Sequence, residues 1–310
     1  MKKLKRIFLW LFLLVVVFLA TTLIYIKFAL PNVGPAPDLK VEMTPERIAR
    51  GEYLANHVAV CIDCHSKRDW SRFSGPPTEG TFGMGGDRFD QKFGFPGVYF
   101  AKNITPAGIS RYTDGELFRV ITTGVNKEGE AMFPVMPFHY YGQMDTEDIV
   151  SIIAYIRTLK TIQNDIPKST SDFPMNFILN TIPHKGNPIK RPEKTDLINY
   201  GKYVVNAASC IECHTKVDKG QLIPGTEFGG GREFPFPDGS IVRSANISPD
   251  KETGIGLWKK EVFITLFHAH ADSTTLHTTL KPGDFNSIMP WTMYGKMTDD
   301  DLGAVFAYLQ

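Results

Sequence analysis

Cysteine is scarce in this chain, with four among 310 residues. That is too few to staple a chain of this length and argues against a disulfide-dense scaffold. A strong charge of either sign is also missing, the formal net charge being +1. Five of the basic residues (Lys2, Lys3, Lys5, Arg6 and Lys27) lie within the first thirty positions, which leaves 29 basic against 33 acidic residues in the remainder. A nucleic-acid surface needs a basic stripe, so that class of partner is not expected. Charge is absent altogether from Ile7 to Ile26. What remains has a globular composition, 43% hydrophobic and 22% charged. With 27 Gly and 21 Pro it should be rich in loops.

The uncharged stretch is twenty residues long. As a helix it spans roughly 30 Å, the thickness of a bilayer's hydrocarbon core. Four basic residues before it and one after it predict an N-terminus left in the cytoplasm and a body beyond the inner membrane, in the periplasm of a Gram-negative cell. A cleaved signal peptide is the alternative. Its apolar region would be shorter, whereas Ala20-Thr21-Thr22 runs on into more Leu, Ile and Tyr, so an uncleaved anchor is the expectation. Pro31 to Pro37 then reads as a semi-extended spacer.

The rest of the chain is one pattern written twice. Gly51-Glu52-Tyr53 and Cys61-Ile62-Asp63-Cys64-His65 return as Gly201-Lys202-Tyr203 and Cys210-Ile211-Glu212-Cys213-His214. Asn103-Ile104-Thr105-Pro106 returns as Asn246-Ile247-Ser248-Pro249, and Met136-Pro137-Phe138 as Met289-Pro290-Trp291. Tyr141-Gly142-Gln143-Met144 returns as Tyr294-Gly295-Lys296-Met297. The offset is 149 residues at the cysteines and 153 at the methionines, far above the roughly 20–50 of a solenoid, so the repeat implies duplicated domains. The division expected is an anchor at 1–30, a linker at 31–44, a domain at 45–160, a connection at 161–196 and a second domain at 197–310.

Each unit should open and close with a helix. Thr44-Pro45 places an N-cap before a proline at the first helical position. Asp145 to Asp148 and Thr298 to Asp301 put acids in a first turn ahead of the apolar series Ile149, Ile152, Ile153, Ile156 and Leu302, Val305, Phe306. Thr113-Asp114-Gly115-Glu116 fits a capping box. The connection carries Pro167, Pro174, Pro183, Pro188 and Pro192, with Phe173, Phe177, Ile178 and Leu179 expected to pack on one or both domains.

C-x-x-C-H reads as a site of covalent c-type haem attachment. Two thiols at i and i+3 share one side of a helical turn. They reach two vinyl groups on one edge of a porphyrin, and the next residue, His65 or His214, offers imidazole to the iron. Zinc would need four ligands and closer spacing than two pairs 149 residues apart. A thioredoxin-like pair would not carry His twice in the same place. Two haems c are therefore expected, on Cys61, Cys64, His65 and on Cys210, Cys213, His214. For the sixth ligand, Met136 and Met289 recur before Pro and an aromatic residue, ahead of the closing helix. Met132 is a local rival to Met136, while Met144 and Met297 read as packing residues. His268, His270 or His277, in a stretch ten residues longer in the second unit, is a rival to Met289, and His139 lies close to Met136. His57 and His184 read as structural. Tyr53, Tyr203, Trp70, Trp258 and Trp291 read as core or haem-packing aromatics.

This set, with C-x-x-C-H followed by N-I-[TS]-P, Gly254-Ile255-Gly256-Leu257-Trp258, M-P and Tyr-Gly-x-Met, resembles the multihaem cytochrome c subunit of membrane-bound alcohol, aldehyde and gluconate dehydrogenases. The likeness covers about residues 45–160 and 197–310. It implies two tandem class I cytochrome c domains, so the fold class expected is all-α, with the N-terminal transmembrane helix read above ahead of them. In each, first and last helices cross, with Gly51 meeting Ile152 and Tyr155. It implies Met136 and Met289 as axial ligands. The function expected is one-electron transfer between a periplasmic dehydrogenase and a terminal oxidase or soluble cytochrome. A dihaem cytochrome c peroxidase is the enzymatic alternative, which the duplicated methionines argue against, and a haem-based sensor is a third class.

Overall fold

The computed structural model describes residues 2–236, 239–271, 278–281 and 283–310. Lys2–Phe28 is one helix with no buried residue. It is long and apolar enough to cross a membrane, a property that a signal sequence shares. The following segment is extended and lies against the body: Val33 and Val41 are buried, and Val41 N donates to Asp114 Oδ2 at 2.8 Å.

The first half opens with helix Pro45–Tyr53, capped by Thr44, whose hydroxyl accepts from Arg47 N. It runs into a π-helical turn at Leu54–Val58 and then the short turn Cys61–Cys64. Helix Asp114–Thr123 carries the expected capping box, and helix Thr146–Thr158 closes the half. The second half repeats this with helix Leu197–Ala207, the turn Cys210–His214, and a closing helix Asp299–Leu309 capped by Thr298. Opening and closing helices cross at glycine. A Cβ on Gly51 would sit 1.8 Å from Ser151 O and 2.9 Å from Tyr155 Cβ, and one on Gly201 would sit 1.9 Å from Ala304 O and 3.0 Å from Tyr308 Cβ. The contact of Gly51 is thus with Ser151 and Tyr155, one position along from Ile152. Ile149 and Ile153 are fully buried beneath this crossing, each contributing about 1.5–3 kcal/mol by its removal from water.

The all-α expectation is wrong. β1 (Arg88–Phe89), β2 (Gly97–Phe100) and β3 (Thr170–Ser171) form an antiparallel three-stranded sheet in that order. β4 (Val217–Asp218) pairs with β5 (Gln221–Leu222), and β6 (Glu233–Pro235) with β7 (Ile241–Arg243). These strands are two to four residues long, too short for an alternating pattern to stand out against Gly- and Pro-rich loops. β3 belongs to the segment read as a connection, so that segment is stitched to the first half. Phe173 and Ile178 are exposed rather than packed, at 81% and 43%. The buried residues of the two halves form a single contiguous cluster from Val41 to Leu309.

Candidate cofactor sites

Each cysteine turn is entered through a strained residue. Val60 has φ +44° and Ser209 φ +54°, both left-handed, immediately before Cys61 and Cys210. Such a conformation costs about 1–3 kcal/mol for a residue other than glycine, and most for a β-branched one. Its recurrence at matching positions marks a geometry the surroundings enforce. The four thiols are free of disulfides. Burial pushes Cys61, Cys64 and Cys210 up to about 12 and raises Cys213.

The two histidines are held alike. His65 Nδ1 donates to Lys102 O at 2.6 Å, and His214 Nδ1 donates to Ala245 O at 2.8 Å. A carbonyl only accepts, so in the neutral ring the lone pair must sit on Nε2. Burial lowers both imidazoles below their ordinary value and keeps them neutral. A histidine that ligates a metal is commonly oriented this way, its other ring nitrogen tied to a carbonyl. The accepting carbonyls lie directly before Asn103-Ile104-Thr105-Pro106 and Asn246-Ile247-Ser248-Pro249. In each motif the Asn Oδ1 accepts from the backbone two residues on, at Thr105 N and Ser248 N, both at 2.9 Å. Gly85 and Gly230, each at φ +70°, bring a second strand of backbone to these carbonyls; a Cβ on either would lie 2.5 Å from Lys102 C or Ala245 C. Gly85 N donates to His65 O and Gly230 N to His214 O.

The methionine arms share one local geometry. Pro137 (φ −79°, ψ 56°) and Pro290 (φ −76°, ψ 62°) each centre an inverse γ-turn, closed by Phe138 N to Met136 O at 2.8 Å and Trp291 N to Met289 O at 2.7 Å. Proline fixes the φ such a turn needs. Tyr141 OH then donates to Ala59 O, and Tyr294 OH to Ala208 O, which ties each arm to the turn before its cysteines. The tyrosines belong to the repeated Tyr-Gly-x-Met motif. Their role was not legible in spacing, though their recurrence was its signal. Met144 and Met297 are core residues, 1% and 3% exposed.

A cavity of about 2950 Å³ brings Cys61, Cys64, His65 and Met136 to one space, with Met132, Tyr99 and Tyr141 also on its wall. Tyr99 stacks on Phe133 at 4.3 Å beside it. Cys213 borders the same cavity from the second half, whereas Cys210, His214 and Met289 do not line it. The donor set of the first half therefore fits a covalently held haem: two thiols on one turn, an imidazole with Nε2 free, and a thioether facing the same space. The second half repeats the local chemistry at each of these residues.

The histidine rivals fare differently. His268 has both ring nitrogens engaged, Nδ1 with Gly295 O and Nε2 with Asp299 Oδ1, each at 2.7 Å. His270 stacks on Phe73 and meets Trp291 at a tilt, and His277 lies outside the described residues. His139 pairs with Glu212, and His57 faces Met293 O. Trp70 and Trp258 are 37% and 39% exposed rather than core. Among the described residues no three His, Cys, Asp or Glu side chains converge on a metal-sized site.

No protein-family model matches the chain. It is 27% identical to the fructose dehydrogenase cytochrome subunit of Gluconobacter japonicus across 85% of its own length and 52% of that protein's. It is 24% identical to the alcohol dehydrogenase (quinone) cytochrome c subunit of Gluconobacter oxydans (strain 621H), over 85% of this chain and 54% of the relative. A shorter match, 34% identical over 113 residues, covers 36% of this chain and 22% of the gluconate 2-dehydrogenase cytochrome c subunit of Pantoea cypripedii. The chain spans about half the length of the curated relatives it matches along most of its own. By these likenesses it is a homologue of the cytochrome c subunits of fructose, alcohol and gluconate dehydrogenases.

Proposed function

We propose that this chain is a membrane-anchored dihaem cytochrome c that passes electrons singly from a periplasmic dehydrogenase to a respiratory acceptor, either an oxidase or another cytochrome. The observation that carries this reading is the duplicated imidazole geometry. Each histidine that follows a C-x-x-C pair is tied through Nδ1 to a backbone carbonyl and held neutral by desolvation, which leaves Nε2 for a metal. A haem held there supplies an iron that alternates between ferric and ferrous states by one electron.

The chain's own residues do the rest. Cys61 and Cys64, and Cys210 and Cys213, would hold the group covalently, so that loop-rich units at 45–160 and 197–310 need not grip it by packing alone. Met136 and Met289 would offer the same groups a thioether, which would disfavour ligand exchange and raise the potential. This argues for a carrier over a peroxidase. Lys2–Phe28 holds the body at the membrane. The connecting segment 161–196 meets the end of that helix, where Asn180 Nδ2 donates to Ile26 O at 3.3 Å. The dehydrogenase partner is supported by the names of the relatives.

The test is haem stoichiometry and ligation. Denatured, acid-extracted protein should retain two haems per chain, and the oxidised protein should show the methionine–iron charge-transfer band. Haem released into the extract, or fewer than two per chain, overturns the reading.

A further inference from the structure

The inverse γ-turn that presents Met289 is closed by a residue of the opposite half. Ser74 Oγ donates to Met289 O at 2.5 Å and accepts from Trp291 N at 3.0 Å, bridging both ends of the turn. Ser74 N donates to Asn286 Oδ1 at 2.9 Å, and the same oxygen accepts from Ser287 N, whose hydroxyl accepts from Met289 N at 3.1 Å. Ser74 has no exposed surface and holds φ +66°, a conformation serine rarely adopts without enforcement.

The strain is held from behind. Arg68 Nη2 donates to Ser74 O at 3.1 Å and Arg68 Nε to Gly75 O at 3.0 Å, while its guanidinium lies 4.1 Å over the Trp70 ring. Arg68 also pairs at 3.2 Å with Asp63, one of the two residues between Cys61 and Cys64. Further along the loop, Leu280 N donates to Ser71 O, and Phe73 stacks on His270 at 5.3 Å. A continuous polar path thus runs from inside the first cysteine motif, through Asp63, Arg68 and Ser74, to the backbone of Met289.

We propose that Ser74 is a positioning residue for Met289, so that the first half sets the sixth ligand of the second haem. This rests on the reading of Met289 as an axial ligand given above. The hydroxyl satisfies one acceptor and one donor of a three-residue turn that has only one internal hydrogen bond. Without it the turn keeps only its internal hydrogen bond and the bond from Met289 N to Ser287 Oγ, both within its own half, and the thioether loses its fixed approach.

The experiment uses the full-length holoprotein with Ser74→Gly, Ser74→Ala and Met289→Ala. Glycine suits φ +66° and takes away the whole hydroxymethyl group without backbone strain, so the loop keeps its path even if alanine, which removes only the hydroxyl, disturbs folding. Both Ser74 variants should lose about half of the methionine–iron charge-transfer absorption, and the reduced protein should bind about one carbon monoxide per chain. One haem potential should fall while the other stays. Adding Ser74→Gly to Met289→Ala should change nothing further. If Met289→Ala halves the absorption but Ser74→Gly leaves it whole and binds no carbon monoxide, the proposal is overturned. If Met289→Ala itself leaves the absorption whole, the axial-ligand reading is what has failed.

Discussion

Tyr53 and Asp301 are 248 residues apart in sequence and hydrogen-bonded at 2.7 Å in the fold, the tyrosine hydroxyl donating to Oδ2. The same hydroxyl accepts from Thr298 N, the first backbone donor at the closing helix of the other half. The duplicate pair mirrors it: Tyr203 donates to Asp148 Oδ2 at 2.7 Å and accepts from Asp145 N. Burial and the facing carboxylates push both hydroxyls above the ordinary tyrosine value, so they remain protonated donors. The halves are thus fastened by a crossed pair, each opening helix reaching the other's closing helix. The two bonds are not equal. Asp148 is also held by Arg50 and Arg191, whereas Asp301, 2% exposed, has Tyr200 and Lys194. Tyr53→Phe should therefore cost about 1–3 kcal/mol, and Tyr203→Phe less, because two guanidiniums still satisfy Asp148. Denaturant unfolding of the two variants checks this, and a larger loss for Tyr203→Phe contradicts it.

The helix crossings give a second prediction. A methyl group on Gly51 would overlap the Ser151 carbonyl oxygen at 1.8 Å, which is backbone and has no rotamer to yield. Gly51→Ala should destabilise by about 3 kcal/mol or more, at the upper end of the usual cost of overpacking. Gly201→Ala meets Ala304 O at 1.9 Å and should behave alike. Thermal unfolding of each variant is the measurement. A midpoint unchanged in either means that the helices separate without penalty.

The repeat made much of this legible. Every element at a matched position, from the capped helices to the Met-Pro turns, was present twice in the sequence, and duplication separated signal from accident. The short strands were not legible, because β2 offers four residues and β1 two, below any usable period. Neither were Ser74 and Glu212 as cross-half contacts, nor Arg68 as the support behind Ser74. Ser74 has no repeated partner, and its bonds span 215 and 217 residues. Such contacts arise from how the halves dock, which local pattern does not encode. The carbonyls of Lys102 and Ala245 were hidden for another reason: backbone groups carry no side-chain signature, although the motif that follows them did.

His268 supplies a pH-dependent contribution. It ends helix Lys260–His268, and its two ring nitrogens face two acceptors, Gly295 O and Asp299 Oδ1, which only the doubly protonated imidazolium can satisfy. These partners raise its pKa above the ordinary value of 6.5. The folded state thus holds the proton more tightly than the unfolded chain. The stabilisation is fully present below the ordinary value and is lost as pH rises through the raised one. The stability difference between the native protein and His268→Gln should therefore shrink with rising pH, followed by urea unfolding from about pH 5.5 to 8.5. A difference that grows with pH would show that the neutral ring is the favoured form.

The connecting segment predicts where the body meets lipid. Short helical turns at Met175–Ile178 and Leu179–Thr181 rest against helix Lys2–Phe28 near its C-terminal end. In and just before them Ile178 is 43% and Phe173 81% exposed, and Phe28 at the end of the long helix is 77% exposed. If that helix spans a bilayer, these side chains sit at headgroup depth, where aromatic residues are favoured. If the four native cysteines are thioethers, as proposed above, a single introduced cysteine can carry a nitroxide without competition. In nanodiscs, a label on Phe173→Cys should be reached more readily by oxygen than by a water-soluble nickel complex, though less so than one on Val16→Cys. A label on Leu257→Cys, a position 73% exposed on the second half, should show the aqueous pattern. Should Val16→Cys report the bilayer interior while Phe173→Cys matches Leu257→Cys, the anchor stands but the body is held clear of the surface.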